Sequence, residues 1–265
     1  MTIIDAKIKS MTSLDFNNIS PRDKAVLMGI FLSKFDRKAL DVFGFDGFWQ
    51  AFNTLGYSIG IPPRSVKNYR DEFDPYFPNP RKGWRNRELR DYCRLLMEET
   101  ESFSFEDFYG IIRSFVSNEV VDSFSTSSSN SNKSKREFLA NRLITGKAAE
   151  QYFIMTYQSI DMFQGCTLID TTNQGCGYDF RLTWPSSHFF VEVKGINDTS
   201  GNILMTEKEH RVAEAMKDLY CLFVVRNFKS IPEHQLYFDP LRSNALQFQR
   251  HEREVIQVSY SAKFL

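Results

Sequence analysis

Seven of the twelve residues from Ser123 to Ser134 are serine, in the run SFSTSSSNSNKS. A stretch this poor in apolar side chains cannot offset its ordering entropy by burial, and it reads as a linker. It divides the 265 residues into segments 1–122 and 135–265 around a linker at 123–134, and each flank has the length of an ordinary domain. The two flanks then have to be read separately, because their hydrophobic periods differ.

The first flank has the period of helices. Ser20 and Pro21 precede DKAVLMGIFLSKF, which supplies an N-cap, a proline at the first helical position and an apolar face through Val26, Leu27, Ile30 and Phe31. A second helix is expected over Phe45–Leu55, with Gly56 as its stop. Pro62 and Pro63 open a third, whose inward residues are Val66, Tyr69 and Phe73 and whose outward residues are Arg64, Lys67, Asn68 and Arg70. Further helices are expected over Arg85–Thr100 and Ser104–Phe115.

The second flank changes period. Arg136–Tyr157 reads as a helix, followed by strands over Cys166–Asp170, Tyr178–Thr183 and His188–Lys194. Thr206 and Glu209 form a capping box that opens a helix to about Lys217. Leu219–Val225 is a continuous apolar run suited to a strand covered on both faces, with weaker strands at Gln235–Phe238 and Glu254–Tyr260. The expectation is α+β overall: an all-α N-terminal domain joined to an α/β domain with a central mixed sheet.

Composition excludes several classes. No run approaches the ~18 apolar residues of a membrane span, and the opening MTIIDAKIKS has no signal-peptide pattern, so a cytoplasmic protein without membrane contact is expected. Cys93, Cys166, Cys176 and Cys221 form no CxxC pair, and His188, His210, His234 and His251 are scattered, which argues against a zinc finger or a disulfide framework. The cysteines read as small buried hydrophobes. With 33 basic and 33 acidic residues the net charge is zero, so polyanion binding through bulk charge is excluded and only a local basic surface can serve.

The chemistry concentrates in Gly175-Cys176-Gly177-Tyr178-Asp179-Phe180-Arg181-Leu182 and Phe189-Phe190-Val191-Glu192-Val193-Lys194-Gly195. Alternation along a strand puts Glu192 and Lys194 on one face and Val191 and Val193 on the other. If Trp184–Ser187 turns the chain at Pro185 and Ser186, Asp179 lies directly opposite Glu192 on the same face. Two carboxylates at that separation repel unless a cation or a shared proton lies between them, and Lys194 adds an ammonium. Such a cluster suits a hard, oxygen-preferring divalent ion such as Mg²⁺. The ion would bind a phosphate oxygen and acidify a bound water, as phosphodiester hydrolysis requires. Lys194 would hold or deprotonate that water, or neutralise the phosphate. The competing reading is an exposed Glu192–Lys194 salt bridge on a sheet edge, with Asp179 a turn residue.

Asp179 followed by Glu192-Val193-Lys194 resembles the PD-(D/E)xK superfamily, whose fold is restriction-endonuclease-like. More narrowly, GCGYDFRL, FFVEVKG and ILMTEKEHRVAEAMKDLYCLFVV are similar to the nuclease-like domain found at the C-terminus of the plant NO VEIN protein and in many bacterial restriction proteins, over about Arg136–Phe228. Gly177-Tyr178-Asp179 stands where the superfamily has Pro-Asp. The resemblance implies Asp179 and Glu192 as metal ligands, Lys194 as the catalytic lysine, and a further acidic residue from the first helix, for which Glu150 is the choice; Gln174, near the first strand, is a weaker candidate.

From Ile61 to Arg94, nine basic residues face five acidic ones. An excess of this kind supplies phosphate affinity. Arg64, Ser65, Lys67, Asn68 and Arg70 would lie on the second helix of a helix-turn-helix, where Arg and Asn can read base edges. Arg81, Lys82, Arg85 and Arg87 would grip the backbone. The expectation is a Mg²⁺-dependent, sequence-specific double-stranded DNA endonuclease of the type II restriction kind, a homodimer because two strands need two sites, with no nucleotide cofactor. The alternatives are a DNA-binding or assembly protein with a non-catalytic nuclease-like domain, and a nuclease for modified or branched DNA or for RNA.

Overall fold

The computed structural model describes residues 19–83, 88–116 and 130–252, with side chains from 142 onward in the last segment. The expected strand at Glu254–Tyr260, and Arg85 and Arg87, lie outside the described residues.

Helix α1 (Pro21–Asp41) starts as the sequence indicates, with the Ser20 hydroxyl accepting from Asp23 N–H at 3.2 Å. Val26, Leu27, Ile30 and Phe31 are buried on its inner face. Helices α2 (Phe48–Ser58) and α3 (Pro63–Phe73) follow, joined by residues 59–62. Gly56 is not the stop of α2. The helix runs past it, and Gly60, at φ +71°, makes the turn. A Cβ on Gly56 would lie 3.0 Å from the Pro63 Cα, so that glycine is there for the close approach of α3. Helix α4 (Asp91–Glu99) starts later than the expected Arg85, because Arg90 is extended and its guanidinium pairs with Glu72. Helix α5 (Phe105–Val116) completes the bundle. Phe31 sits among Phe35, Phe43, Phe105 and Phe108 at its centre.

Helix α6 (Asn130–Thr156) begins inside the Ser-rich stretch, so residues 130–134 are helix rather than linker. It serves both halves. Ile144 belongs to the helical core, while Ala148, Ala149, Tyr152 and Phe153 belong to the core beneath the sheet. That sheet contains β1 (Thr167–Asp170), β2 (Phe180–Thr183), β3 (His188–Gly195), β4 (Tyr220–Arg226) and β5 (Glu233–Phe238), in the order β1-β2-β3-β4-β5. Only β3 and β4 are parallel, connected through α7 (Glu207–Met216); the other pairs are antiparallel. Phe153, Phe180, Val191, Val193, Phe223 and Val225 pack on the α6 side, and Phe190, Ala213 and Tyr220 on the α7 side. The protein is thus α+β, helical first and with a five-stranded mixed sheet after.

The halves pack on each other through α2 and α6. The buried Asn53 amide donates to the carbonyls of Phe228 (2.8 Å) and Ser230 (2.7 Å), and the Tyr57 ring meets those of Tyr152 and Phe228. Truncating Asn53 leaves both carbonyls without this donor. Asn53→Ala is expected to lower stability by about 2 kcal/mol in denaturant unfolding, and a change under about 0.5 kcal/mol, the usual range for a surface substitution, would mean the contact is incidental.

Candidate active site

The site begins with a hairpin. Trp184 N–H donates to Ser187 O at 2.9 Å, and the turn sets Phe180 opposite Val191 and Leu182 opposite Phe189. The paired register ends at Phe180 and Val191, and Asp179 follows directly beyond it. Two backbone bonds hold Asp179 there: its N–H donates to Val191 O (2.9 Å), and its Oδ2 accepts from Val193 N–H (2.8 Å). The approach to Asp179 needs glycine at 177. That residue has φ +92°, and a Cβ would lie 2.8 Å from Val212 Cγ2 on α7. The Tyr220 hydroxyl, which burial makes a much weaker acid than usual, donates to Gly177 O at 3.1 Å and fixes the loop from below.

Alternation on β3 sends Val191 and Val193 into the α6 core and Glu192 and Lys194 toward α7. Glu192 is only 3% exposed. Burial at this level requires compensation, and Lys194 Nζ supplies it at 2.5 Å from Glu192 Oε1. The same ammonium lies 2.9 Å from Glu209 Oε2 on α7. Sequence reasoning assigned Glu209 only to the capping box, which is present, with Thr206 and Glu209 bonded reciprocally. Nothing in a helix-start motif signals a second role; the fold alone brings it to the lysine.

Glu150, half-buried on α6, feels both Asp179 and Asp170. Burial, then those charges, push its carboxyl up to about 7. Asp179 is pushed up to about 6, mainly by burial, against the Val193 amide and Lys194, which favour its charge. Glu192 is pushed up to about 8 by burial and then by Asp179. Lys194 is opposed by burial yet held charged, its pKa raised by Glu192 and Glu209. The ion pair is formed, because the ammonium bridges two carboxylates at bonding distance, and the excess proton affinity belongs to Asp179 and Glu192 together. Asp170, exposed at the end of β1, was also missed from sequence. Its place became legible only once β1 was known to pair Asp170 with Phe180, beside Asp179. Gln174 is exposed on the intervening loop, and among the described residues no hydrogen bond ties its side chain to the cluster.

The helical half places the basic residues less simply. Arg64 and Asn68 are exposed on α3, and Ser65 and Lys67 are half-exposed, Lys67 pairing with Asp71 at 2.5 Å. Arg70 is not outward. It is 7% exposed, pairs with Asp71 at 2.9 Å and lies over the Phe48 ring, because position 70 follows Val66 by one helical turn and shares its inner face. Arg81 is likewise internal, bidentate on Asp74 at 2.8 and 2.9 Å and paired with Asp36. Lys82 is exposed. Much of the basic excess therefore neutralises buried carboxylates. His188 packs on Phe190, and His210 on Phe248. Cys93, Cys166 and Cys221 are buried and Cys176 half-buried, all as thiols. Among the described residues no helix is long and apolar enough to cross a membrane.

An antiparallel hairpin with Asp179 at its end and Glu192-Val193-Lys194 on its second strand, continued by a parallel strand through a capped helix, is similar to a nuclease-like domain of the PD-(D/E)xK type. Residues 149–238, about a third of the chain, match the family model described as Protein NO VEIN, C-terminal. No curated protein and no solved structure matched the chain.

Proposed function

We propose that the protein is a Mg²⁺-dependent, sequence-specific endonuclease of the type II restriction kind that hydrolyses double-stranded DNA. The observation that carries this reading is the meeting of charged groups at the end of the β2–β3 hairpin: Lys194 pairs with the buried Glu192, Asp179 accepts from the Val193 amide, and Glu150 on α6 feels the charge of Asp179. The donor set fits magnesium. It consists of hard carboxylate oxygens whose proton affinity is raised first by burial and then by neighbouring negative charge, and a cation would compensate both. Among the described residues no group of three or more His, Cys, Asp or Glu side chains is set to hold a metal ion. Mg²⁺ characteristically needs only one or two carboxylates, with waters and substrate phosphate completing its shell. Asp179 and Glu192 would hold it, with Glu150 adjoining.

When bound, the ion supplies Lewis acidity toward a phosphate oxygen and acidifies a water. The chain's own groups do the rest. The Val193 amide keeps Asp179 oriented. Lys194 Nζ, at the partly exposed mouth of the cluster, donates to the attacking water or to the phosphate and offsets charge developing there. On α3, Arg64, Ser65, Lys67 and Asn68, with Lys82 beyond it, would meet the duplex. Because α2 and α6 fix α3 relative to the site, the cut would fall at a set distance from the contacted bases. Cutting both strands calls for two copies, hence a homodimer, acting in the cytoplasm.

The test is a panel of end-labelled substrates (plain duplex, methylated duplex, branched DNA and RNA), each with Mg²⁺ and with EDTA. Metal-dependent cleavage of plain duplex is expected. Cleavage confined to another substrate would redirect the reading to a nuclease for that substrate, and binding without cleavage would favour a non-catalytic assembly role.

A further inference from the structure

Glu209 Oε2 accepts two hydrogen bonds from different parts of the site. One comes from Thr206 N–H at 2.9 Å, closing the capping box, and the other from Lys194 Nζ at 2.9 Å. The second carboxylate on the ammonium is Glu192, 2.5 Å away. The lysine head is therefore stretched between strand β3 and the first turn of α7. A lysine side chain has four rotatable carbons and three donors, so one partner defines a distance but not a position. Two partners on separate elements confine the nitrogen far more closely than one does.

The two partners are not equivalent. On the nuclease reading Glu192 is engaged by a cation, and a carboxylate drawn to a cation yields part of its hold on the ammonium. Glu209 keeps its hold, because the helix N-terminus itself orients it: its own N–H donates to the Thr206 hydroxyl at 3.3 Å, while its side chain returns to the Thr206 amide. We infer that Glu209 is a positioning residue for Lys194. It carries a full charge to the lysine from a rigid helix start and keeps Nζ aimed into the site when Glu192 is otherwise occupied. The inference rests on the nuclease reading for its catalytic consequence, and on geometry alone for the hold on the lysine.

The experiment compares wild type, Glu209→Ala and Glu209→Gln for kcat and KM on the cleaved duplex with Mg²⁺. Asn53→Ala serves as a control destabilised far from the site. It adds melting temperatures and the ¹H–¹⁵N signal of the lysine ammonium groups, with Lys194 assigned by its loss in Lys194→Arg. Glu209→Ala is expected to lower kcat roughly 10- to 100-fold with KM nearly unchanged, the usual cost of misplacing a supported group. Glu209→Gln retains an acceptor for Thr206, so it should recover the melting temperature but not kcat. Both variants should lose the slowly exchanging Lys194 signal that wild type and Asn53→Ala show. Full recovery of kcat along with melting temperature in Glu209→Gln would make Glu209 a helix cap only and overturn the inference, as would a Lys194 signal that persists in Glu209→Ala. If wild type cuts nothing, the nuclease reading falls, while the ammonium signal still decides whether Glu209 holds the lysine.

Discussion

Alanine at Asp179, Glu192 or Lys194 is expected to reduce duplex cleavage by roughly a thousandfold or more, about 4 kcal/mol of barrier at 1.36 kcal/mol per decade, while duplex binding in a gel-shift assay changes little. The three should fail almost equally, and a double variant should be scarcely worse than a single one, because groups that act as a unit lose their function together. Lys194→Ala has a structural cost besides, since it leaves Glu192 and Glu209 facing each other without the ammonium between them. Lys194→Met keeps the volume of the side chain and serves as its companion, with circular dichroism to confirm folding. Substitutions at Arg64 and Asn68 should show the opposite division, with weakened binding and a residual rate per bound complex close to wild type. If all three alanine variants cleave at the wild-type rate, the cluster is a structural ion pair and the active site lies elsewhere.

The hairpin was legible in the sequence because its signals were local and redundant. Two alternating apolar strands flanked a Trp-Pro-Ser-Ser turn, and the turn alone determined the register from Phe180 and Val191 to Thr183 and His188. The same holds for the α7 cap and for β4, where capping chemistry and an unbroken apolar run leave few alternatives. What was not legible depended on contacts distant in sequence. Arg70 and Arg81 read as surface cations because nothing near them shows that Asp74 is buried with 2% of its surface exposed and needs both guanidinium groups. Gly56 read as a helix stop because its neighbour Pro63 is close in space for a packing reason. Glu209 and Asp170 were hidden in the same way. Each occupied an ordinary local role, one as a cap and one at a strand end, until the sheet order placed them beside Lys194 and Asp179. The Ser-rich composition of 123–134 suggested a linker across its length, yet the helix that unites the two cores starts within it.

Neutralising one carboxylate of the cluster should make the metal-free protein more stable. In the folded chain burial, the leading cause in each, pushes the carboxyls of Glu150 and Asp179 up, to about 7 and about 6, and raises the proton affinity of Glu192 in the same direction. Raised folded values mean that the native state binds these protons more tightly than the unfolded chain. The stabilisation is complete below about pH 4, where both states are protonated, and it is lost as pH rises through 6 to 8. Without metal, unfolding free energy should therefore fall between about pH 4 and pH 8. Asp179→Asn preserves the shape and an acceptor for the Val193 amide while removing one charge. In EDTA at pH 8 it should gain about 1–2 kcal/mol, or several degrees of melting temperature, and its stability should depend less on pH than that of wild type. Magnesium should reverse the ranking, because a ligand that binds only the native state stabilises it by mass action, and the asparagine variant has lost a ligand. A structural salt-bridge network predicts the contrary sign: removing Asp179's charge would destabilise the chain at every pH, and magnesium would leave the difference untouched. Chemical denaturation of the two proteins at pH 5 and pH 8, with EDTA and with Mg²⁺, separates these cases, and a variant less stable than wild type in EDTA at pH 8 would exclude a cluster poised for a cation.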